Sequence, residues 1–292
     1  LVLIRLWPHP PLADAVGTSR AVYADDRSLM RLTLAPDGQY RLWVPLERMA
    51  PSLTEAVLLY EDRYFYWHVG VNPLALIRSI WQTASGDRRL GGSTLTMQLA
   101  RRLYGIDSRT PWGKLKQIIA AIGLELRYSK RALLEAYVNT APYGSNIEGV
   151  GAASLIYFRK EVQDLSLPES LTLAVIPQNP VKRTAEQGQN QVLLKARARL
   201  WSTWRERGRD AERFSSDVVL SLDTQGRSQL PFIAPHTTEH VLALYPQKRE
   251  IMTTLDLRMQ RSLERVVQQY LRERSGMGLN NASALLLDAH SM

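Results

Sequence analysis

Glu61 and Asp62 stand side by side just after the apolar run Ala56 to Leu59, among Tyr60, Tyr64, Phe65, Tyr66 and Trp67. A carboxylate in such surroundings acquires a raised pKa and becomes a general acid or base near neutral pH. The alternative is an exposed acidic turn that ends a helix. His68 has no second histidine nearby and the chain has no cysteine, so it reads as a packed, hydrogen-bonded histidine before it reads as a metal ligand. A second group lies in LGGSTLTMQLARRLYG, residues 90–105. Gly91 and Gly92 let backbone approach a ligand closely, and the free N–H groups of a helix start, with Ser93 and Thr94, suit an anion. Gln98 and Arg101 extend that polar stripe, while Leu95, Leu99 and Leu103 mark the opposite face. An ordinary amphipathic helix after a glycine-rich loop is the other reading.

A third group is RTPWGKLKQIIAAIGLELRYSK. At about 100° per residue, Lys114, Gln117, Ala121 and Glu125 share one helix face, and Leu115, Ile119, Ile122 and Leu126 line another. Arg109, Lys114, Arg127 and Lys130 supply a cationic wall or, read differently, a solvated basic face. Glu125, two turns beyond Gln117, is either a second working carboxylate of the site or, the favoured reading, a structural partner of Arg127 or Lys130.

The elements that must position these groups follow from period and punctuation. RAVYADDRSLMRLTLAPDGQYRLWVPL has strand-like alternation around APDGQ, which predicts a β-hairpin turning at Pro36 and Gly38. From Pro51 the period becomes helical, with Ser52 or Thr54 as the expected cap. Helices are expected in PLALIRSIWQTAS, LGGSTLTMQLARRLYG, PWGKLKQIIAAIGLELRYS, SKRALLEAYVNT, GVGAASLIYF, PESLTLAVI and QVLLKARARLWSTWRERG, with Pro111 and Pro168 as first-turn prolines. PQNPVKRTAEQGQNQ reads as a loop, and TTLDLRMQRSLERVVQQYLRER as a capped linker helix.

Composition bounds the class. The chain has 292 residues, close to half of them apolar, enough for one large or two modest domains. A net charge of +9, with arginine dominant, favours a polyanion, an anionic membrane face or a phosphorylated substrate. The lack of cysteine excludes thiolate zinc sites, thiol nucleophiles and disulfides. No apolar run reaches the roughly 20 residues of a spanning helix, and LVLIRLW is either the last turn of a missing anchor or a first strand.

Taken in order, Glu61, Asp62, Phe65, His68 and Gly70, then Gly91, Gly92, Ser93, Thr94 and Gln98, then Lys130, Leu134, Tyr137 and Asn139 resemble the motifs of the peptidoglycan glycosyltransferase domain, glycosyltransferase family 51, of class A penicillin-binding proteins. GGSTLTMQLAR, WGKLKQ, GVGAAS and LPFIAPH are similar to its 1C branch. The resemblance runs from about Val22 to the end of the chain. It implies a mainly α, lysozyme-like domain at 49–209, preceded by an N-terminal extended and β-hairpin segment at 1–48 after a missing membrane anchor. A linker region at 210–280 and the first strand of a truncated transpeptidase domain at 281–292 would follow. It implies polymerisation of lipid II at the outer, periplasmic face of the bacterial inner membrane. The growing glycan passes from undecaprenyl diphosphate to the 4-hydroxyl of the next disaccharide.

By the same resemblance Glu61 is the general base and Asp62 supports it. Arg101, Arg109 and Lys114 grip the diphosphate, and Ser93, Thr94 and Gln98 line the donor site, with His68, Lys130 and Asn139 as further substrate-site residues. Gln117 stands where the family's third motif has a glutamate that helps organise a magnesium or manganese ion. A neutral amide is a poor substitute as ligand, so the metal requirement is in doubt and the site reads as a variant one. Gly113, Met97, Arg102 and Asn72 are further departures, expected to tune the site. No S-x-x-K or K-T-G motif occurs, so neither acylation by penicillin nor cross-linking is expected of this chain. Asn72 to Ser85 reads equally as an interfacial amphipathic segment or a core helix. The competing readings are a catalytically impaired lipid II binding or scaffold module working with other cell wall synthesis proteins and, from charge alone, a nucleic-acid binder, which the motif order disfavours.

Overall fold

The computed structural model describes residues 9–74, 92–186, 190–207, 222–284 and 286. All but the first three residues of Asn72 to Ser85 lie outside this set, as do LVLIRLW, Gly91 and most of 281–292. In chain order the described residues form β1 (Ala21–Tyr23), β2 (Leu29–Leu32), α1 (Pro51–Glu61), α2 (Leu95–Leu103), α3 (Pro111–Arg127) and α4 (Lys130–Thr140). Then come β3 (Pro142–Gly144), β4 (Ile147–Glu148), α5 (Val150–Phe158), α6 (Leu167–Val175) and α7 (Gln191–Arg205). α8 (Pro235–Leu244), β5 (Glu250–Met252) and α9 (Leu257–Arg274) complete the order, so the chain is mainly α as expected.

The contacts divide the chain into two compact units, one of residues 1–19 and 34–230, the other of residues 20–33 and 231–292. In the larger unit α1 packs on α6 and α7, while α2 packs on α3 and α4. Helix starts follow local chemistry. Pro51 occupies the first turn of α1 without any side-chain cap, so the expected Ser52 or Thr54 cap is not used. Thr110 caps α3 by accepting from the Gly113 N–H, and Ser166 with Glu169 forms a capping box on α6. The fully buried apolar side chains Leu53, Leu95, Leu99, Leu133 and Tyr137 show where the core of this unit sits.

The smaller unit is a three-stranded sheet in the order β2-β1-β5, with β1 antiparallel to β2 and parallel to β5. Val22, Ala24, Met30, Ala234, Leu242, Ile251 and Leu257 form its core. Residues expected as an N-terminal segment and as linker thus share one hydrophobic cluster. The hairpin also turns elsewhere than expected. Ala24 N–H donates to Ser28 O, Asp26 Oδ1 accepts from the Ser28 N–H, and Arg27 takes φ of 64°. The APDGQ stretch is a tight turn, with Ala35 N–H on Gln39 O and Gly38 at φ 78°, but it leads out of β2 instead of joining two strands. A Pro-Asp-Gly turn signal outweighs Asp-Asp-Arg-Ser in sequence, although both stretches turn the chain.

Candidate active site

Two helix ends meet at Asp62. α1 stops at Glu61, and the buried Asp62 caps it; its Oδ2 accepts from the Leu95 N–H at 3.0 Å, at the start of α2. Both Asp62 oxygens lie 3.0 Å from His68 Nε2. Free N–H groups at a helix start need such an acceptor, so Asp62 fixes where α2 begins relative to Glu61. Thr94 caps α2 by accepting from the Met97 N–H and donates to Gly70 O at 2.5 Å. Gly70 holds φ of 76°, and a Cβ there would meet Ala121 O at 2.9 Å, so only glycine suits this crossing. Lys130 Nζ donates to His68 O at 2.6 Å and to Glu125 Oε1 at 2.7 Å, and Thr96 also donates to Glu125. Asp62, Thr94 and Lys130 are engaged by these contacts, His68 through Nε2 and its carbonyl while its Nδ1 is buried without a partner among the described residues, and Glu125 pairs with Lys130.

Glu61 is what this frame positions. Its Oε2 accepts from Gln98 Nε2 at 2.8 Å, while its Oε1 is buried and accepts no hydrogen bond from the described residues. Burial pushes the Glu61 carboxyl up from its ordinary value; the Gln98 hydrogen bond and the charges of Arg102 and Arg183 pull against that. The fully buried Tyr137 donates to Gln98 Oε1 at 3.4 Å, which orients the amide so that its N–H faces Glu61. A carboxylate with one oxygen anchored and one unspent is equipped to take a proton from a hydroxyl.

A residue of α3 organises a cation beside α2. Gln117, 1% exposed, donates from Nε2 to Met97 O at 2.7 Å and accepts on Oε1 from Lys114 Nζ at 2.9 Å. Lys114 also donates to Ser93 Oγ at 2.7 Å. Burial, then the charge of Arg101, pulls the Lys114 pKa down. Arg101 and Arg109 are exposed; Arg109 stands before α3, its backbone N–H on Asp107 Oδ1, and is not drawn into this hydrogen-bonded group. Gly113 explains one departure from the family pattern: a Cβ there would lie 1.7 Å from Asp107 O, so a longer side chain does not fit.

The set does not suit a divalent ion held through position 117. Both amide atoms of Gln117 are committed, one of them to an ammonium, and among the described residues no group of three or more His, Cys, Asp or Glu could hold a metal. The polar face of α3 is the buried one, with Gly113, Gln117, Ala121 and Glu125 inward. Trp112, Leu115, Ile119 and Ile122 lie exposed, the reverse of an ordinary surface helix.

Asn139 has a different job from the substrate contact expected of it. Fully buried, it accepts from the Val44 N–H at 2.8 Å and donates to Val44 O at 2.8 Å and Glu135 O at 3.0 Å. Asn139→Ala is expected to cost about 2–4 kcal/mol, because Val44 keeps two buried groups unpaired. Urea unfolding checks this. Sequence reasoning passes over Arg183, which lies in a polar loop after two prolines, and it places Tyr137 in a motif without assigning it a role. Arg183 Nη1 donates to Tyr60 Oη at 2.7 Å and Val175 O at 2.7 Å.

A helical unit in which a half-buried glutamate ends α1, Gln98 of α2 anchors it and a lysine site lies on α3 fits a class of glycosyl-transferring proteins. The family model for transglycosylases matches residues 26–202, and the chain belongs to the transglycosylase family. Penicillin-binding protein 1C of Escherichia coli (strain K12) is 36% identical over 275 residues, covering 91% of this chain and 34% of that protein. The biosynthetic peptidoglycan transglycosylase of Pasteurella multocida (strain Pm70) is 38% identical over 139 residues, covering 48% of this chain and 56% of that protein. Penicillin-binding protein 1A of Aquifex aeolicus (strain VF5) is 37% identical over 145 residues, 49% of this chain and 20% of that protein. The chain spans about a third of the length of the first of these relatives.

Proposed function

We propose that this chain is a peptidoglycan glycosyltransferase that polymerises lipid II, with Glu61 as general base. The observation that carries the reading is Glu61 itself, half-buried, anchored by Gln98 on one oxygen and with the other buried and unspent among the described residues. The acceptor 4-hydroxyl gives its proton to Glu61 as its oxygen bonds to the donor's anomeric carbon. The bond from that carbon to the diphosphate breaks, and undecaprenyl diphosphate leaves with the bonding electron pair. Negative charge grows on the leaving group, so a positive group must already be in place. Lys114, carried by Ser93 and Gln117, is that group, with Arg101 and Arg109 at the exposed margin. Since Gln117 brings an ammonium and not a carboxylate to this point, the transfer is expected to proceed in the presence of a chelator. Polymerisation of labelled lipid II by the chain, with Glu61→Gln beside it, tests the reading; binding without polymer would favour the scaffold alternative.

The substrate's lipid stays in a bilayer, so the site must work at a membrane surface, here the periplasmic face of the inner membrane. No helix among the described residues is long and apolar enough to cross a membrane. The exposed stripe Trp112, Leu115, Ile119 and Ile122 supports contact with the surface instead, on a different helix from the segment expected in sequence. Withdrawing an isoleucine from an apolar phase costs about 1.5–3 kcal/mol, so Ile119→Glu is expected to weaken vesicle binding about tenfold or more in a sedimentation assay.

A further inference from the structure

The guanidinium of Arg102 lies over the Tyr137 ring, 4.5 Å from its centroid, and its Nε and Nη2 are buried without a hydrogen-bond partner among the described residues. Buried donors are ordinarily spent, and an arginine kept only for packing would spend them. Glu61 Oε1 is also buried and unspent, and Arg102 acts on Glu61 electrostatically. Arg183 is the other cation that acts on Glu61; its Nε is buried and unpartnered too among the described residues, but its Nη1 is committed to Tyr60 and Val175.

We propose that Arg102 is a positioning residue for Glu61, the stacked guanidinium supplying the positive charge that keeps the carboxylate ionised and ready to accept a proton. This rests on the reading of Glu61 as the base. The groups acting on Glu61 are Tyr60 and Asp62 beside it in the chain, Gln98 and Arg102 from α2, Tyr137 from α4, Tyr143 from β3, and Arg183. Asp62 repels the charge, and the tyrosines stay neutral because burial raises their pKa values. The two arginines are thus the opposing charges; among the described residues Arg102 leaves two buried donors unspent, whereas Arg183 leaves Nε and ties Nη1 to Tyr60 and Val175. Burial of Glu61 is the main force toward the protonated form, so loss of Arg102 moves its titration upward.

The test is a pH titration of the full chain labelled with carbon-13 at the glutamate carboxyls, Glu61 being assigned by its absence from the Glu61→Gln spectrum. In Arg102→Gln the Glu61 titration is expected to rise by about one pH unit, and in Arg102→Lys to stay close to the original. Arg102→Met, which keeps the contact with Tyr137, replaces the glutamine variant should that one fail to fold. An unmoved titration in a folded, charge-removed variant overturns the proposal. In the polymerisation assay the acid limb of kcat/KM should move by the same amount, a roughly tenfold loss below it, with the plateau kept. A uniform loss at every pH means a purely structural role and also overturns it. Absence of polymer from the unaltered chain would count against the glycosyltransferase reading, and the titration would still decide the coupling.

Discussion

Glu61→Gln is expected to lower lipid II polymerisation by about 10²–10⁴-fold, the usual worth of a positioned base, while leaving binding of the substrate in place. Gln98 can still donate to the amide oxygen that replaces Oε2, so the geometry around α1 and α2 survives. The same change is expected to stabilise the protein. The folded-state pKa of Glu61 lies above its unfolded value, so the stability it contributes is present below the ordinary glutamate range and lost as pH rises through its folded value. At neutral pH the ionised, buried carboxylate is a cost that glutamine relieves. Tm should therefore rise at pH 7, and the difference between the two proteins should shrink as pH falls toward the ordinary glutamate pKa. A thermal scan at several pH values reads this out, and activity lost together with stability would point instead to a misfolded variant.

Lys114→Met is the second large effect. It removes the ammonium that joins Ser93 to Gln117 and leaves the buried Gln117 Oε1 without its donor. Polymerisation is expected to fall about 10²–10³-fold, because the charge acts most strongly on the diphosphate as it departs. The loss should appear mainly in kcat, since the exposed Arg101 and Arg109 still attract the resting substrate. Its lowered pKa adds a check on the unaltered chain: activity should decline at alkaline pH below the range where an ordinary lysine titrates. Single-turnover and steady-state assays separate the two constants, and an unchanged kcat with a raised KM would show that Lys114 only binds.

The sequence disclosed the chemistry better than the carpentry. A carboxylate among aromatic residues makes Glu61 a candidate, and glycine, hydroxyl and cation spacing does the same for Ser93 and Lys114, but the roles proposed for them come from the order of motifs and not from any one stretch. What stayed hidden was which polar side chains are used up inside the protein. Asp62, Thr94, Lys130 and Asn139 look like ligand-facing residues, yet each is consumed by a helix start, a carbonyl or a neighbouring strand-like segment. Such demands come from backbone groups far away in the chain, and side-chain types do not announce them. α3 misled for a related reason. Its leucine and isoleucine stripe would normally be buried, but Gly113, Ala121 and the polar Gln117 and Glu125 pack inward because Met97 O, Thr96 and Lys130 satisfy them. The smaller unit was legible only in pieces, since the β1–β5 pairing joins residues more than two hundred positions apart.

The most direct measurement is glycan polymerisation from labelled lipid II by the unaltered chain in detergent, with and without a chelator, alongside Glu61→Gln. Polymer in both buffers that disappears with the substitution is the predicted result. Polymer that survives Glu61→Gln, or none from the unaltered chain under any condition, would contradict the account.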